Sequence, residues 1–430
     1  MNTLALDVGP DSVQAAVLEA ETGKILGGGL ARAEVAIATP GHDAAEVPWE
    51  GLWQALAQAA RTATRHAPEV EAVGMAVWTP GLVLVNDRDQ PFRPIHLPRD
   101  RRARPAARQV DAVVGAELLA TTGQRPIPGA MTAIGFRQLL FQDPYVAHDI
   151  KSFLHINGWL GMHLTGERAF DPCNASCTGL YNTLTDHAWS QRWCDYFEVE
   201  PAWLPEVRSA GDTLGTVRSA VAAEIGVPPG IPVKVGAADV VSIMLALDMK
   251  PGDLLHLEGN TQLLAVLANA PRADSRRFTR QFGSGNKFMY VTHNPLGNGA
   301  LEWIKELCFR EQSEEEFSTR TIAEAQVRGT RVQFDPPFLA GDPLEIEARR
   351  ASIRDLELGS DRVDVLAGLL SALSRRHQEA LAALDHTGPL GHVFWSGPGV
   401  QRIRPLLYPA ADVQEFDNGS LFGIARLFAE

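Results

Sequence analysis

An α/β fold is predicted by three features of the chain. Short apolar runs of strand length alternate with segments of helical spacing. The composition, 45% hydrophobic and 21% charged, suits a globular protein with a sizeable core. A strand, a Gly-led polar turn and a second strand open the chain, and the same pattern returns near Leu254. The length, 430 residues, suggests two or three domains, most simply two large ones. The 52 Asp and Glu outnumber the 39 Lys and Arg, for a net charge of −13. With no long basic run, that balance argues against a nucleic-acid partner. It does not argue against phosphate ligands, which backbone N–H groups and Mg²⁺ can hold. No uncharged apolar run approaches the roughly 18 residues of a membrane helix. Met1-Asn2-Thr3-Leu4 puts no basic segment ahead of an apolar one, so no signal peptide is expected. Four cysteines make no disulfide framework in so long a chain, and a reduced, cytoplasmic setting is expected.

Thr3 to Gly9 reads as a buried strand, Pro10-Asp11-Ser12 as a turn and Val13 to Glu19 as a second strand. After the turn Glu21-Thr22-Gly23-Lys24, Ile25 begins a third, giving a β-meander. Gly27-Gly28-Gly29 reads as a turn at that strand's end rather than a phosphate cradle. Trp49 to His66 has helical spacing, with Trp53, Leu56 and Ala60 on one face. Val70 to Val77 and Leu82 to Val85 read as strands. Pro105 onward, Met131 to Phe141 and Asp149 to Leu164 read as helices. Ile231 to Val235 is a strand, followed by a small-residue turn and an apolar helix from about Asp239. Leu254 to Leu257 and Gln262 to Leu267 are strands around Gly259-Asn260-Thr261, repeating the opening; taken alone, so short a repeat is also what two ordinary hairpins would give. Asp361 to Leu384 is a long helix, His392 to Trp395 a strand and Leu421 to Phe428 a last helix. The boundary is expected near residue 243, giving domains 1–243 and 244–430.

Several familiar motifs are absent. There is no P-loop, no G-x-G-x-x-G after a strand, no G-x-S-x-G elbow and no H-x-x-x-H pair. Cys173 and Cys177 lack the partners of a zinc site. Asp7 stands out because it ends an apolar strand directly before a Gly turn, where a carboxylate needs a cation or donors. Mg²⁺ is a natural partner; a carboxylate capping its own turn is the plainer alternative. Asp239 poses the same choice. A strand delivers it through a small-residue turn to a helix start, so it is either an N-cap or a general base at the carboxyl end of a strand.

Taken together, these segments resemble the FGGY family of carbohydrate kinases. Leu6-Asp7-Val8-Gly9-Pro10-Asp11-Ser12-Val13 is similar to the family's first phosphate hairpin. Val73-Gly74-Met75-Ala76-Val77-Trp78-Thr79-Pro80-Gly81 resembles the sugar-site strand and turn. Pro91-Phe92-Arg93-Pro94-Ile95 with Asp100-Arg101-Arg102 resembles a sugar-contacting stretch. Leu164-Thr165-Gly166-Glu167, Asp171, Asn174-Ala175-Ser176 and Gly179-Leu180-Tyr181 match a further run. Gly230-Ile231-Pro232-Val233, Gly236 and Asp239 match the segment that carries the family's base. Gly259-Asn260-Thr261 resembles the second phosphate hairpin and Asn298 to Trp303 the helix after it. Ser396-Gly397-Pro398-Gly399 resembles the adenosine turn, and Gly423-Ile424-Ala425 the closing helix. The resemblance runs in order from Asp7 almost to the last residue.

The resemblance implies two RNase H-like (actin-like ATPase) domains flanking a central cleft that closes on sugar and ATP. It implies an ATP-dependent kinase of a small sugar or polyol, xylulokinase-like in flavour, for which a homodimer is an allowed assembly. Asp239 would be the base, and Asp7, with Asp11, would hold Mg²⁺. Gly9, Ser12, Gly259, Asn260, Thr261, Gly397 and Gly399 would bind nucleotide. Trp78, Thr79, Asp100 and Asp239 would bind the sugar. The chain also departs from the family. Pro10 removes an N–H donor where a hydroxyl residue is usual, and Asp11 brings negative charge toward phosphates. The sugar turn, Trp78-Thr79-Pro80-Gly81, and Val240 are atypical. Of a further family segment Pro337 and Gly341 remain, with Asp342 in place of Arg. The competing expectation is a degenerate homologue that binds a ligand or partner without phosphoryl transfer.

Overall fold

The computed structural model describes residues 1–41, 43–283, 285–335, 343–347, 350–385, 390–397, 400–409 and 411–428. Pro337, Gly341, Asp342, Pro398 and Gly399 lie outside the described residues. The first half of the chain contains β1 (Asn2–Val8), β2 (Ser12–Glu19), β3 (Ile25–Glu34), α1 (Trp49–Thr64), β4 (Ala72–Val77), β5 (Leu82–Val85), α2 (Arg104–Thr122) and α3 (Thr132–Gln142). It continues with β6 (Ser152–His155), α4 (Ile156–Thr165), α5 (Pro172–Ser176), β7 (Thr213–Thr216), β8 (Pro232–Lys234), β9 (Ala237–Ala238) and α6 (Asp239–Ala246). The second half contains β10 (Leu254–Glu258), β11 (Gln262–Ala268), β12 (Phe278–Gln281), β13 (Phe288–Asn294), α7 (Asn298–Cys308), α8 (Arg362–Ala383), β14 (His392–Ser396), β15 (Asp412–Glu415) and α9 (Gly419–Arg426). Shorter elements connect these.

Two mixed sheets organise the molecule. The first has the order β7-β8-β4-β1-β2-β3, with β9 also on β4. The second has the order β12-β13-β11-β10-β14-β15. In both, a hairpin is central: β1 pairs antiparallel with β2 and parallel with β4, as β10 pairs antiparallel with β11 and parallel with β14. The repeat suspected from two short hairpins is therefore a repeat of whole sheets.

The first sheet is covered on both sides, which is why β1 is apolar at nearly every position. Leu4, Leu6 and Val8 join a core with Leu52, Leu56 and Ala60 of α1. Ala5, with Ala16 and Ala76, faces Leu421, Ile424 and Ala425 of α9. Glycine makes that second contact possible. A Cβ on Gly74 would stand 2.6 Å from Ile424, and one on Gly423 only 1.8 Å from the Ser242 carbonyl oxygen. So α9, from the end of the chain, lies against α6 and the first sheet. In the second half, α7 and α8 pack on the second sheet through Leu301, Ile304, Leu366, Leu369 and Leu373. Asp361 caps α8 by accepting the Val363 and Asp364 N–H groups in a capping box.

Two sequence readings are corrected. Asp149 to Leu164 is not one helix: Ser152–His155 is a strand paired antiparallel with β5, and α4 begins at Ile156. The segment is apolar at nearly every position, so period alone does not separate the two; pairing with Leu82–Val85 decides it. Gly27-Gly28-Gly29 is not an end turn but lies inside β3. Gly27, at φ +68°, has no room for a Cβ, which would stand 2.4 Å from Ala67 Cα.

Candidate active site

Strand register gathers the first group of candidate residues. Asp7 is level with Ala76, and Val8 with Val77, while Ala238 is also level with Val77. Asp7, the Trp78-Thr79 turn and Asp239 therefore leave the sheet together at its carboxyl edge, where α/β sheets build their sites. The Trp78 N–H donates to the Val8 carbonyl at 3.0 Å, locking the two turns side by side.

Asp239 is the first residue of α6, with Ala238 as its cap. Its Oδ1 accepts the Val240 N–H at 2.7 Å. Burial, with the negative charge of Asp7 adding to it, pushes its carboxyl up to about 7. Burial also raises Asp7, against which the Ser420 hydroxyl donates a short hydrogen bond to Oδ2. No Lys or Arg among the described residues offsets either charge. Two acids thus share one edge without a cation, and one of them titrates near neutrality.

The first hairpin turns tightly: the Gly9 N–H donates to the Ser12 carbonyl at 2.9 Å, and a Cβ on Gly9 would lie 3.0 Å from that oxygen. Ser12 is buried, and its hydroxyl donates to Asp11 Oδ1 at 3.2 Å. Pro10 and Asp11 are exposed.

The second sheet repeats the geometry. Leu257 of β10 is level with Ser396 of β14, so Gly259-Asn260-Thr261 and Gly397 leave neighbouring parallel strands at the same edge. The backbones there are in close contact. A Cβ on Gly397, at φ +116°, would stand 2.3 Å from the Glu258 carbonyl oxygen, one on Gly297 2.5 Å from that of Gly259, and one on Gly299 2.6 Å from Asn260 Oδ1.

The sugar-turn residues stand on a buried polar scaffold. Thr79 Oγ1 donates to Asn174 Oδ1 at 2.8 Å. Asn174 Nδ2 donates to Asp171 Oδ2 at 2.6 Å, which fixes the amide's orientation. His155 Nδ1, 3.0 Å from Asn174 Oδ1, therefore carries the ring hydrogen, and Nε2 accepts from Thr132 Oγ1 at 2.9 Å. Burial keeps His155 neutral, down to about 4, and pushes Asp171 up to about 6. Trp78 Nε1 is buried and has no hydrogen-bond partner among the described residues. Asp100 is different: its Oδ2 accepts from the Arg102 side chain at 2.7 and 2.9 Å and from the Ala45 N–H at 3.0 Å, and its Oδ1 accepts the Arg102 backbone N–H at 3.0 Å. Burial opposes its charge, but these donors prevail and hold the carboxyl below its ordinary value. It lines a narrow cavity of about 40 Å³ with Pro80, His96, Arg102, Thr132 and Gln138.

Sequence reasoning overlooked His155 and Glu258, and it named Asp171 within a family run without giving it a role. The signal for Glu258 was available: like Asp7, it is an acid in an apolar strand beside a Gly turn. Cys173 and Cys177 are buried and free. Among the described residues no three His, Cys, Asp or Glu side chains gather as a metal site, and no helix is long and apolar enough to cross a membrane.

Residues 2–246 match the family described as "FGGY family of carbohydrate kinases, N-terminal domain". The xylulose kinase of Streptomyces coelicolor is 30% identical over 253 residues, 58% of this chain and 50% of that one. The autoinducer-2 kinase of Photorhabdus laumondii is 26% identical over 284 residues, 64% and 53% of the two chains. The chain spans about half the length of the curated relatives it matches. Among solved structures, the xylulose kinase from Rhodospirillum rubrum superposes with a TM-score of 0.87 at 22% identity, over 100% of this chain and 89% of that one. The Plasmodium falciparum glycerol kinase with ADP superposes with a TM-score of 0.84 at 16% identity, over 99% and 88%. At these identities the likeness is one of fold.

Proposed function

The chain belongs to the FGGY family of carbohydrate kinases, and from that premise we propose that it transfers the γ-phosphoryl group of ATP to a hydroxyl of a small ketose, such as a pentulose, or of a polyol. The observation that carries the reading is the pairing of Asp239 with Asp7 at the sheet edge between the sugar turn and the first hairpin. A carboxyl near 7 is suited to take a proton at neutral pH. Asp239 accepts the proton of the acceptor hydroxyl as its oxygen attacks phosphorus, and the scaffolded Trp78-Thr79 turn orients the sugar. Trp78 Nε1 is a buried donor that a ligand oxygen can satisfy. The N–H groups of the two hairpins, at Gly9 to Ser12 and at Gly259 to Thr261, receive the phosphates, and the Gly397–Gly399 turn receives the adenosine. Phosphoryl transfer needs such positioning and charge placement more than covalent chemistry.

Mg²⁺ fits this donor set. Asp7 is a half-buried carboxylate with a hydroxyl partner but no cation, and Asp11 is an exposed second oxygen donor on the same hairpin. Mg²⁺ commonly takes one or two protein carboxylates and completes its shell with phosphate oxygens and water. When bound, it neutralises charge on the phosphates. The same reading assigns residues 1–243 and 244–430 to the two lobes, sets the protein in the cytoplasm, and makes sugar and ATP its ligands.

The test is a sugar-dependent ADP-release screen with Mg-ATP against pentuloses, hexuloses, glycerol, tetritols and gluconate. Turnover with one class is expected, and Asp239→Asn should lower it by ~10²–10⁴. Nucleotide binding with no turnover on any acceptor would instead establish the degenerate homologue. That alternative has one specific support: Pro10 withholds an N–H from the first hairpin.

A further inference from the structure

A cluster of buried polar groups lies directly behind the second hairpin. Glu258, the last residue of β10, has no side-chain exposure. Its Oε1 accepts the N–H of Asn298, the first residue of α7, at 2.7 Å. Its Oε2 accepts Gln262 Nε2 of β11 at 3.0 Å and faces His256 Nε2 at 2.9 Å. One carboxyl thus joins both strands of the hairpin to the helix that follows. His256 Nδ1 lies 2.8 Å from the Tyr408 hydroxyl, and the ring stacks on Trp395 at 4.0 Å. His377 of α8 stacks on His256 at 5.7 Å, and its Nδ1 lies 3.2 Å from Gln262 Oε1. Asn294 Nδ2 donates to that same Gln262 oxygen at 2.9 Å. Among the described residues Glu302 is a further acid nearby, and it accepts from Asn298 Nδ2 at 2.6 Å.

Burial pushes Glu258 up to about 8 and His256 down to about 3. The line Glu258–His256–Tyr408 consequently has two self-consistent arrangements. With Glu258 protonated, its O–H donates to His256 Nε2, and Nδ1–H donates to the Tyr408 oxygen. With Glu258 ionised, the Tyr408 O–H donates to Nδ1, and Nε2–H donates to the carboxylate. Loss of one proton reverses both hydrogen bonds and places a negative charge one residue before Gly259.

We propose that Glu258 is a positioning residue for the nucleotide: it holds the Gly259-Asn260-Thr261 hairpin against the first turn of α7, and the charge on its carboxyl sets the hairpin's affinity for phosphate. This rests on reading that hairpin as a phosphate cradle. A buried acid that stiffens a core predicts none of the pH dependence that follows. ADP is fully ionised well above pH 6, so its own charge is constant from pH 7 to 9, where Glu258 acquires one.

The experiment measures Mg-ADP affinity by calorimetry from pH 7 to 9, and amide hydrogen exchange at 259–261 and 298–300, in the wild-type protein and in Glu258→Gln. Wild-type affinity should fall about 3–10-fold across that range as like charge develops behind the phosphates. In Glu258→Gln the fall should shrink to what Asp239, near 7, contributes, and the same amides should exchange faster, because an amide NH₂ cannot accept what one carboxylate oxygen accepts. Tyr408→Phe guards against a variant that fails to fold. It keeps the carboxyl and its Asn298 and Gln262 bonds, so the fall in affinity with pH should persist. Identical pH profiles in wild type and Glu258→Gln, or a flat profile in Tyr408→Phe, would overturn the proposal. If wild-type protein binds no Mg-ADP while the exchange changes still appear, the nucleotide reading of the hairpin is what fails, and the affinity half of the proposal falls with it.

Discussion

Asp239 is useful for the same reason that it is unfavourable in the folded chain. Its carboxyl moves from an ordinary 3.8 to about 7 on folding, so the native state binds more protons than the unfolded state between those values. Stability contributed by this group is full below about pH 4 and is lost as pH rises through 7. Removing the charge should return it: in metal-free buffer at pH 8, Asp239→Asn should melt about 2–4 °C above wild type, the equivalent of roughly 1 kcal/mol. The difference should vanish near pH 4, and equal melting temperatures at pH 8 would refute the strained-acid account. The sequence made Asp7 and Asp239 conspicuous as acids at strand ends, but not what surrounds them. The Ser420 hydroxyl on Asp7, and the Asn174–His155–Thr132 line under Thr79, join residues far apart in the chain. No local pattern announces such partners. Asp100 shows the converse: its motif reads as a sugar contact, yet its oxygens already hold Arg102 and the Ala45 N–H.

At the level of elements, the first hairpin is where the chain differs most from what its family leads one to expect. Pro10 and Asp11 lie at its exposed tip; the Asp11 carboxylate accepts the neighbouring Ser12 hydroxyl, and its backbone carbonyl accepts the Val35 N–H at 2.8 Å. The double variant Pro10→Thr, Asp11→Thr restores an N–H and removes a charge. If Asp11 is a metal ligand, that variant should bind ATP more weakly at limiting Mg²⁺. If the native tip is a remnant, the variant should bind ATP more tightly at every Mg²⁺ level. Titrating Mg²⁺ against ATP affinity in both proteins separates the two, and superimposable curves would exclude Asp11 from metal binding. Strands and helices with a clear period were legible in the sequence: β1, β2, α1, β5 and α8 fall within a residue or two of expectation. Those that failed, β6 and the glycines of β3, are set by tertiary neighbours, the pairing with β5 and the close approach of Ala67.

For the whole molecule, the two hairpins sit at corresponding edges of separate sheets, as expected of two actin-like ATPase domains flanking a cleft. If one nucleotide is to touch both hairpins, the sheets are expected to close on it, and such closure would also exclude water from the transfer. Small-angle scattering with sugar and a nonhydrolysable ATP analogue should therefore record a smaller radius of gyration than without them; an unchanged radius at saturation would count against closure. The position of α9 bears on how the protein is made. Ala5, Ala16 and Ala76 emerge from the ribosome long before Leu421, Ile424 and Ala425, which cover them. During synthesis the nascent first sheet must wait with one apolar face uncovered, a window in which chaperone capture or aggregation competes with folding. A fragment of residues 1–246 should accordingly be poorly soluble, and adding residues 411–430 in trans should improve its recovery. A fragment that stays soluble and monomeric by itself would show that the face finds another cover before α9 arrives.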